Sequence, residues 1–244
     1  MLRSILLILS AFVLSACGGG GTSGVFNTSR VFSDGAGVGL FTLKNEQGYW
    51  IAPNIAQVTT DNLVFINDDN FPIVQVFSNG ARLRQGAAVV EGVGINVYVI
   101  DDPAQKSKLV YYDAPGIATV LGGWGPTYTG APSGNYSYNG TFAAGPRIFG
   151  RDPEVGLFNL DADFSSQSFT FSALSNTYSL SGSGFVNLGT GQLTSRVMNF
   201  STGYTNRSAS MDGLLHGPSA EGVSGVFHTN EANPAFAGGF AGTR

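Results

Sequence analysis

The chain of 244 residues has one cysteine, Cys17, and two histidines, His216 and His228. A single thiol cannot close an intrachain disulfide or build a thiolate metal site. Two imidazoles fall short of the three or four convergent ligands that zinc or iron needs. Charge is scarce as well: Asp, Glu, Lys and Arg make up 11% of the residues, with a net charge of −4. No Lys/Arg run occurs, so the basic footprint of a nucleic-acid binder is missing. No Gly-x-Ser-x-Gly element occurs, and no glycine-rich stretch ends in Lys-Ser/Thr, which removes the nucleophile elbow and the phosphate loop. The longest apolar run, Ile5 to Leu14 broken by Ser10, is shorter than the roughly 20 residues of a spanning helix. No stretch holds a helical period over three turns.

What is abundant is glycine, at 35 residues, with 12% aromatics and an ordinary apolar share of 43%. Low charge with many Gly, Ser, Thr, Asn and aromatic residues suits short strands joined by tight turns, and the apolar share argues against disorder. Residues 31–117 read as an irregular β region. Its clearest strands are Asn62 to Asn67, Ile73 to Phe77, Ala87 to Glu91, Gly94 to Ile100 and Lys108 to Tyr112. The turns expected between them are Asp68-Asp69-Asn70, Ser78-Asn79-Gly80 and Asp101-Asp102-Pro103. Asp68-Asp69-Asn70 lacks the spacing of a calcium loop.

From residue 118 the pattern is more regular. Tyr136, Tyr138, Gly140 and Phe142 alternate with Ser137, Asn139 and Thr141; Phe158, Leu160, Ala162 and Phe164 alternate with Asn159, Asp161 and Asp163. Period-2 alternation sends one set inward and the other to water. On this reading Asp161 and Asp163 lie on a solvated face and are not a catalytic pair. Further strands follow at Phe169–Phe171, Tyr178–Gly184, Leu193–Phe200, Ser208–His216, Val223–Phe227 and Phe236–Gly242. Some eight such strands predict an all-β antiparallel barrel or sandwich. Gly182, Gly184, Gly213, Gly225, Gly238 and Gly239 interrupt them, and Phe185, Phe227 and Phe240 are the rings expected to lie over these glycines. Gly217-Pro218 reads as the turn between two barrel strands. His216 and His228 read as ordinary exposed or partly buried side chains, although adjacent strands could bring them to one metal or haem.

The N-terminus ends in Leu14-Ser15-Ala16-Cys17 after its apolar run, then Gly18-Gly19-Gly20-Gly21. This resembles the lipobox of bacterial lipoprotein signal peptides. The resemblance implies a signal peptide over 1–16, acylation of Cys17 and a tether over 17–30. Gly rather than Asp at position 18 implies outer-membrane rather than inner-membrane residence. Three acyl chains, at roughly 0.8 kcal/mol per buried methylene, hold effectively irreversibly. The alternative is an ordinary cleaved secretory signal with an incidental cysteine.

The stretch Gly134-Asn135-Tyr136-Ser137-Tyr138-Asn139-Gly140-Thr141-Phe142 resembles the opening strand of the barrel in transferrin-binding-protein-B-like lipoproteins. Gly213-Leu214-Leu215-His216-Gly217-Pro218-Ser219-Ala220-Glu221-Gly222-Val223-Ser224-Gly225-Val226-Phe227 is similar to that family's closing signature, with Leu215-His216 where Phe-Tyr is usual. The resemblance covers about residues 118–244. It implies a small eight-stranded up-and-down barrel preceded by a smaller β handle over 31–117, one lobe in all. It also implies a non-catalytic binding protein without cofactor, at the outer membrane, facing either outward or into the periplasm. Its partner would be a protein, an iron carrier or a haem-like solute. Tyr111, Tyr112, Trp124 and Tyr128 are candidate partner contacts, since Tyr and Trp suit recognition surfaces; core packing is the other reading of each. Two other functions stay open: a lipocalin-like barrel holding a small apolar ligand, and a structural envelope lipoprotein. Eight strands leave an interior either filled by side chains or able to hold one ligand.

Overall fold

A computed structural model of the chain describes residues 29–33, 37–44, 50–51, 56–58, 64–66, 69–71, 76–78, 83–90, 93–101, 108–114, 118–130, 132–146, 153–231 and 235–244. Cys17, the signal peptide and the turn residues Asp68, Asn79, Gly80, Asp102 and Pro103 lie outside them. The described residues form strands in three sheets. The first half holds β1 (Ser29–Ser33), β2 (Val38–Lys44), β3 (Trp50–Ile51), β4 (Ala56–Val58), β5 (Val64–Ile66), β6 (Asp69–Phe71), β7 (Val76–Ser78), β8 (Leu83–Val90), β9 (Val93–Asp101), β10 (Lys108–Ala114) and β11 (Ala118–Gly125). The second half holds β12 (Asn135–Pro146), β13 (Glu154–Asp163), β14 (Ser168–Leu174), β15 (Ser179–Asn187), β16 (Gln192–Ser201), β17 (Asn206–His216), β18 (Gly222–Thr229) and β19 (Phe236–Thr243).

β12 to β19 close in sequence order into an antiparallel eight-stranded barrel, with β19 pairing back onto β12. The first sheet runs β1-β2-β11-β10-β9-β8-β7, with β3 on β2, and β4-β5-β6 form a separate three-stranded sheet. β1 takes in Ser29 and Arg30, residues the sequence assigned to the tether. Asp69 and Asn70, expected in a turn, sit in β6 opposite Ile66 and Phe65. Ala118–Gly125, grouped on the sequence with the C-terminal half, hydrogen-bonds to β10 and β2 in the first sheet.

The barrel is held by its interior. Tyr138, Phe142, Leu160, Phe169, Phe200, Phe227 and Phe240 are fully buried, each contributing about 2–3 kcal/mol of apolar burial. Aromatic rings of the core, Phe158 and Phe171 included, interlock: Phe171 and Phe240 lie 4.9 Å apart between centroids, Phe158 and Phe240 5.1 Å, and Phe142 and Phe227 5.5 Å. Such rings need room at the facing backbone. A Cβ on Gly225 would lie 2.5 Å from a Phe240 ring carbon, and one on Gly238 2.5 Å from Phe227. Phe185 does not share this role. Leu180 and Val186 fix the inward phase of β15, so Phe185 faces water at 75% exposure, and Phe169 covers Gly184 instead.

One extra residue in β16 breaks its register with both neighbours, β15 and β17. Here the Ser195 hydroxyl donates to the Ser183 carbonyl of β15 (2.6 Å) and accepts from the Val197 N–H (3.3 Å). The bulge switches the phase of β16 and turns Val197 to solvent.

Candidate interaction surface

The outer wall of the barrel has two unlike halves. Every residue of β18 is buried, as are the last eight of β17. One face of these strands meets the core and the other meets the first sheet. Close approach is made through small residues: a Cβ on Gly123 of β11 would collide with the Ser224 hydroxyl of β18. β13 to β16 are open. There Asp161, Thr170, Ser172, Ser181 and Ser183 face water, alternating with the buried core positions.

Both histidines belong to the covered half. His216 is fully buried, its Nε2 2.7 Å from the Ser224 Oγ, and the Pro126 carbonyl faces its ring. Burial pushes its pKa down to about 3, so the ring is neutral. His228 is also buried, with Nδ1 2.9 Å from the Thr229 carbonyl. The expectation of exposed or partly buried rings fails because the first sheet covers these strands. Register keeps the two rings apart. His228 pairs with Ser210, while His216 pairs with Gly222, a separation of about 20 Å along β17. They therefore share no metal. Among the described residues, no three His, Cys, Asp or Glu side chains converge on a metal position.

Asp161 and Asp163 lie on the open face as the alternation predicts. Asp161 accepts from the Ser137 hydroxyl, and Asp163 from Ser166 and Ser165. The Ser166 hydroxyl and the two N–H groups hold the Asp163 carboxyl below the usual carboxylate range.

The segment from Pro126 to Gly134 joins the first sheet to β12 as a strap. Trp124, just before it, is buried, its ring against the backbone at Gly37. Tyr128 is half-buried; its phenol donates to the Leu188 carbonyl (3.0 Å) and its ring lies over Gly191. Burial raises the Tyr128 pKa. Both rings thus make packing contacts within the chain. Tyr111 pairs with Tyr98 and Leu121, and Tyr112 with Val97 and Val120, in the middle of the first sheet.

The closing signature is a clasp at this end of the barrel. Gly217 adopts φ of +85° and donates its N–H to the Pro126 carbonyl at 3.0 Å. Ala220 sits at φ of +57°, fully buried, and its carbonyl accepts from the Tyr138 phenol at 2.7 Å. The Glu221 carbonyl takes the Arg244 N–H and the Thr243 hydroxyl. One turn thereby ties together the strap, β12 and the C-terminal residues.

Sequence reasoning missed the exposed apolar side chains. The large ones among the described residues are Val155, Leu157, Leu174, Phe185, Val197 and Tyr204, all on β13 to β16 or the turn after them. A signal was present: Val155 and Leu157 share the phase of Asn159, Asp161 and Asp163, which is the polar face of that strand.

The fold of a closed eight-stranded barrel and a separate antiparallel sheet matches known structures. Transferrin-binding protein B (TbpB) from serogroup B Neisseria meningitidis matches with a TM-score of 0.61 at 12% identity, over 84% of this chain and 43% of that one. The fold is TbpB-like. Intact Ap-TbpB matches with a TM-score of 0.57 at 13% identity, over 83% of this chain and 45% of that one. The haemoglobin receptor HpuA from Kingella denitrificans matches with a TM-score of 0.55 at 13% identity, over 88% of this chain and 86% of that one. HpuA has also been crystallised with human haemoglobin. The chain spans less than half the length of the TbpB structures and nearly all of HpuA. No protein-family model matches the chain, and no curated protein matches it in sequence.

Proposed function

We propose that this chain is a non-catalytic binding protein, held at the outer membrane by acyl chains on Cys17, that captures a protein partner outside the cell. The partner class is a host iron-carrying or haem-carrying protein, in keeping with the TbpB and HpuA structures of like fold. The filled barrel carries this reading. With Tyr138, Phe142, Phe200, Phe227 and Phe240 fully buried inside, a ligand has to be met on the outer surface, which disfavours the lipocalin-like alternative. The lipobox-like Leu14-Ser15-Ala16-Cys17 supports export and anchoring. Tyr111 and Tyr112 remain our candidates for partner contact.

The test has two arms. Labelled palmitate is expected to enter the wild-type chain and not Cys17→Ala. Intact cells displaying the chain are expected to retain human haemoglobin or transferrin, and protease shaving is expected to remove both the chain and the retention. Protection of the chain from protease, with no retention of either protein, would point instead to a structural envelope role.

A further inference from the structure

The two ends of the barrel differ in chemistry. One end gathers the strap, the turns 164–167, 188–191 and 217–220, and the C-terminus. The distal end carries the turns 175–178 and 202–205, the ends of β12 and β18 and the starts of β13 and β19. Val155 and Leu157 open β13 at the distal end, and Leu174, opposite Leu157, closes β14 there. Leu157 and Leu174 are 63% and 67% exposed, and Tyr204, at the tip of the β16–β17 turn, is 96% exposed. Of the two other large exposed apolar side chains among the described residues, Val197 lies at mid-wall and Phe185 stands alone toward the strap end, opposite Ser168. That turn is fixed by its own hydrogen bonds. The Thr202 N–H donates to the Thr205 carbonyl (3.1 Å), the Thr205 N–H to the Thr202 hydroxyl (3.3 Å), and the Gly203 N–H to the Ser201 hydroxyl (3.2 Å).

Charge runs the other way. Asp161 and Asp163 lie toward the strap end of β13, and among the described residues neither has a cationic partner. At the distal end Glu231 is paired with Arg207 (2.5 Å), while Glu154, like Asp161 and Asp163, only accepts hydrogen bonds, from the Thr177 N–H among others (2.6 Å).

The direction of the N-terminus matches this polarity. β11 runs toward the strap end, where Gly125 leads into Pro126, and Gly217 is bonded to Pro126. β2 is antiparallel to β11 and β1 to β2, with Ser33 at the level of Val38 and Gly125. The chain therefore enters β1 at Ser29 from the side remote from the strap end. Cys17 precedes Ser29 by 12 positions, which at roughly 3.4 Å per residue spans about 40 Å at most.

We infer that the distal end of the barrel, through Leu157, Leu174, Val155 and Tyr204, is a lipid-contacting surface that seats the body on the bilayer holding its own anchor. This rests on the reading of Cys17 as acylated. Leucine and tyrosine are suited to the membrane interface, where an amphipathic ring and short apolar side chains reach the headgroup level. Asp161 and Asp163 then point away from an anionic surface.

The sole native cysteine makes the test clean, because acylation consumes its thiol. The full acylated chain carrying Leu157→Cys, Leu174→Cys or Tyr204→Cys is labelled with a nitroxide. It is then reconstituted into vesicles of phosphatidylethanolamine and phosphatidylglycerol. Ser183→Cys and Asn187→Cys, exposed and nearer the strap end, serve as references. Collision with oxygen relative to a water-soluble nickel chelate is expected to rise several-fold at 157, 174 and 204, and to stay at the aqueous value at 183 and 187. Protein that floats with the vesicles yet shows aqueous values at all five positions overturns the seating and leaves the anchor intact. Protein that does not float overturns the anchor, and the seating with it.

Discussion

The phenol of Tyr138 donates to the carbonyl of Ala220 at 2.7 Å, joining the first barrel strand to the turn after β17. Both residues are fully buried. Burial raises the Tyr138 pKa, so the phenol stays a donor throughout the physiological range. Ala220 holds a left-handed conformation that glycine adopts more easily. The hydrogen bond is one of the interactions that keep it there.

Tyr138→Phe removes the donor and leaves a buried carbonyl without this partner, at nearly unchanged volume. A loss of about 1–3 kcal/mol is expected. Urea denaturation checks it: the midpoint should fall with an unchanged slope. An unchanged midpoint would mean the turn is held by the Gly217–Pro126 and Thr243–Glu221 bonds alone.

Stability should fall in mild acid because of His216. Its unfolded pKa is about 6.5 and its folded pKa about 3, so below pH 6.5 the unfolded chain binds a proton that the folded one does not. The contribution is fully present above pH 6.5 and declines toward pH 3 by about 1.4 kcal/mol per pH unit, or about 2 kcal/mol at pH 5. His216→Gln can keep a polar contact with Ser224 but does not titrate. Denaturation midpoints at pH 7 and pH 5 should converge in the variant and diverge in the wild type.

Gly225→Ala places a methyl group 2.5 Å from the Phe240 ring, against a closed wall. Overpacking of this kind costs about 1–3 kcal/mol. Thermal unfolding should show the loss, and the double variant Gly225→Ala, Phe240→Leu should recover part of it. Recovery would identify the ring as the obstacle, whereas additive losses would implicate the backbone of β17.

Gly123→Val tests the seam between sheet and barrel, since a side chain there meets Ser224. An overpacking cost of about 1–3 kcal/mol would enlarge the separated population roughly 5- to 150-fold. Faster proteolytic cleavage within the strap, between Pro126 and Gly134, is the expected readout.

The barrel was legible in the sequence because its open strands alternate cleanly: Phe158 to Phe164 are inward at every second position, with Asn159, Asp161 and Asp163 between them. The covered half was not, because burial on both faces erases that contrast. Gly222 to Thr229 reads as a mixed run of small, apolar and polar residues, and nothing in it says that a second sheet lies over His216, Ser224 and His228. Trp124 and Tyr128 were ambiguous for a related reason: an aromatic near a strap looks alike whether it meets a partner or, as Tyr128 does, its own chain at Gly191 and Leu188. Phe185 and Val197 depended on phase. The sequence cannot show where a bulge resets the alternation within Ser195–Met198.

Recognition on the outer surface follows from a barrel interior occupied by its own side chains. Native mass spectrometry of the purified mature chain tests that most directly. We expect the mass of the polypeptide and its acyl groups alone, unchanged after incubation with fatty acid or haem. A small molecule that copurifies in equal amount, and is lost when Tyr138 or Phe200 is substituted, would contradict it.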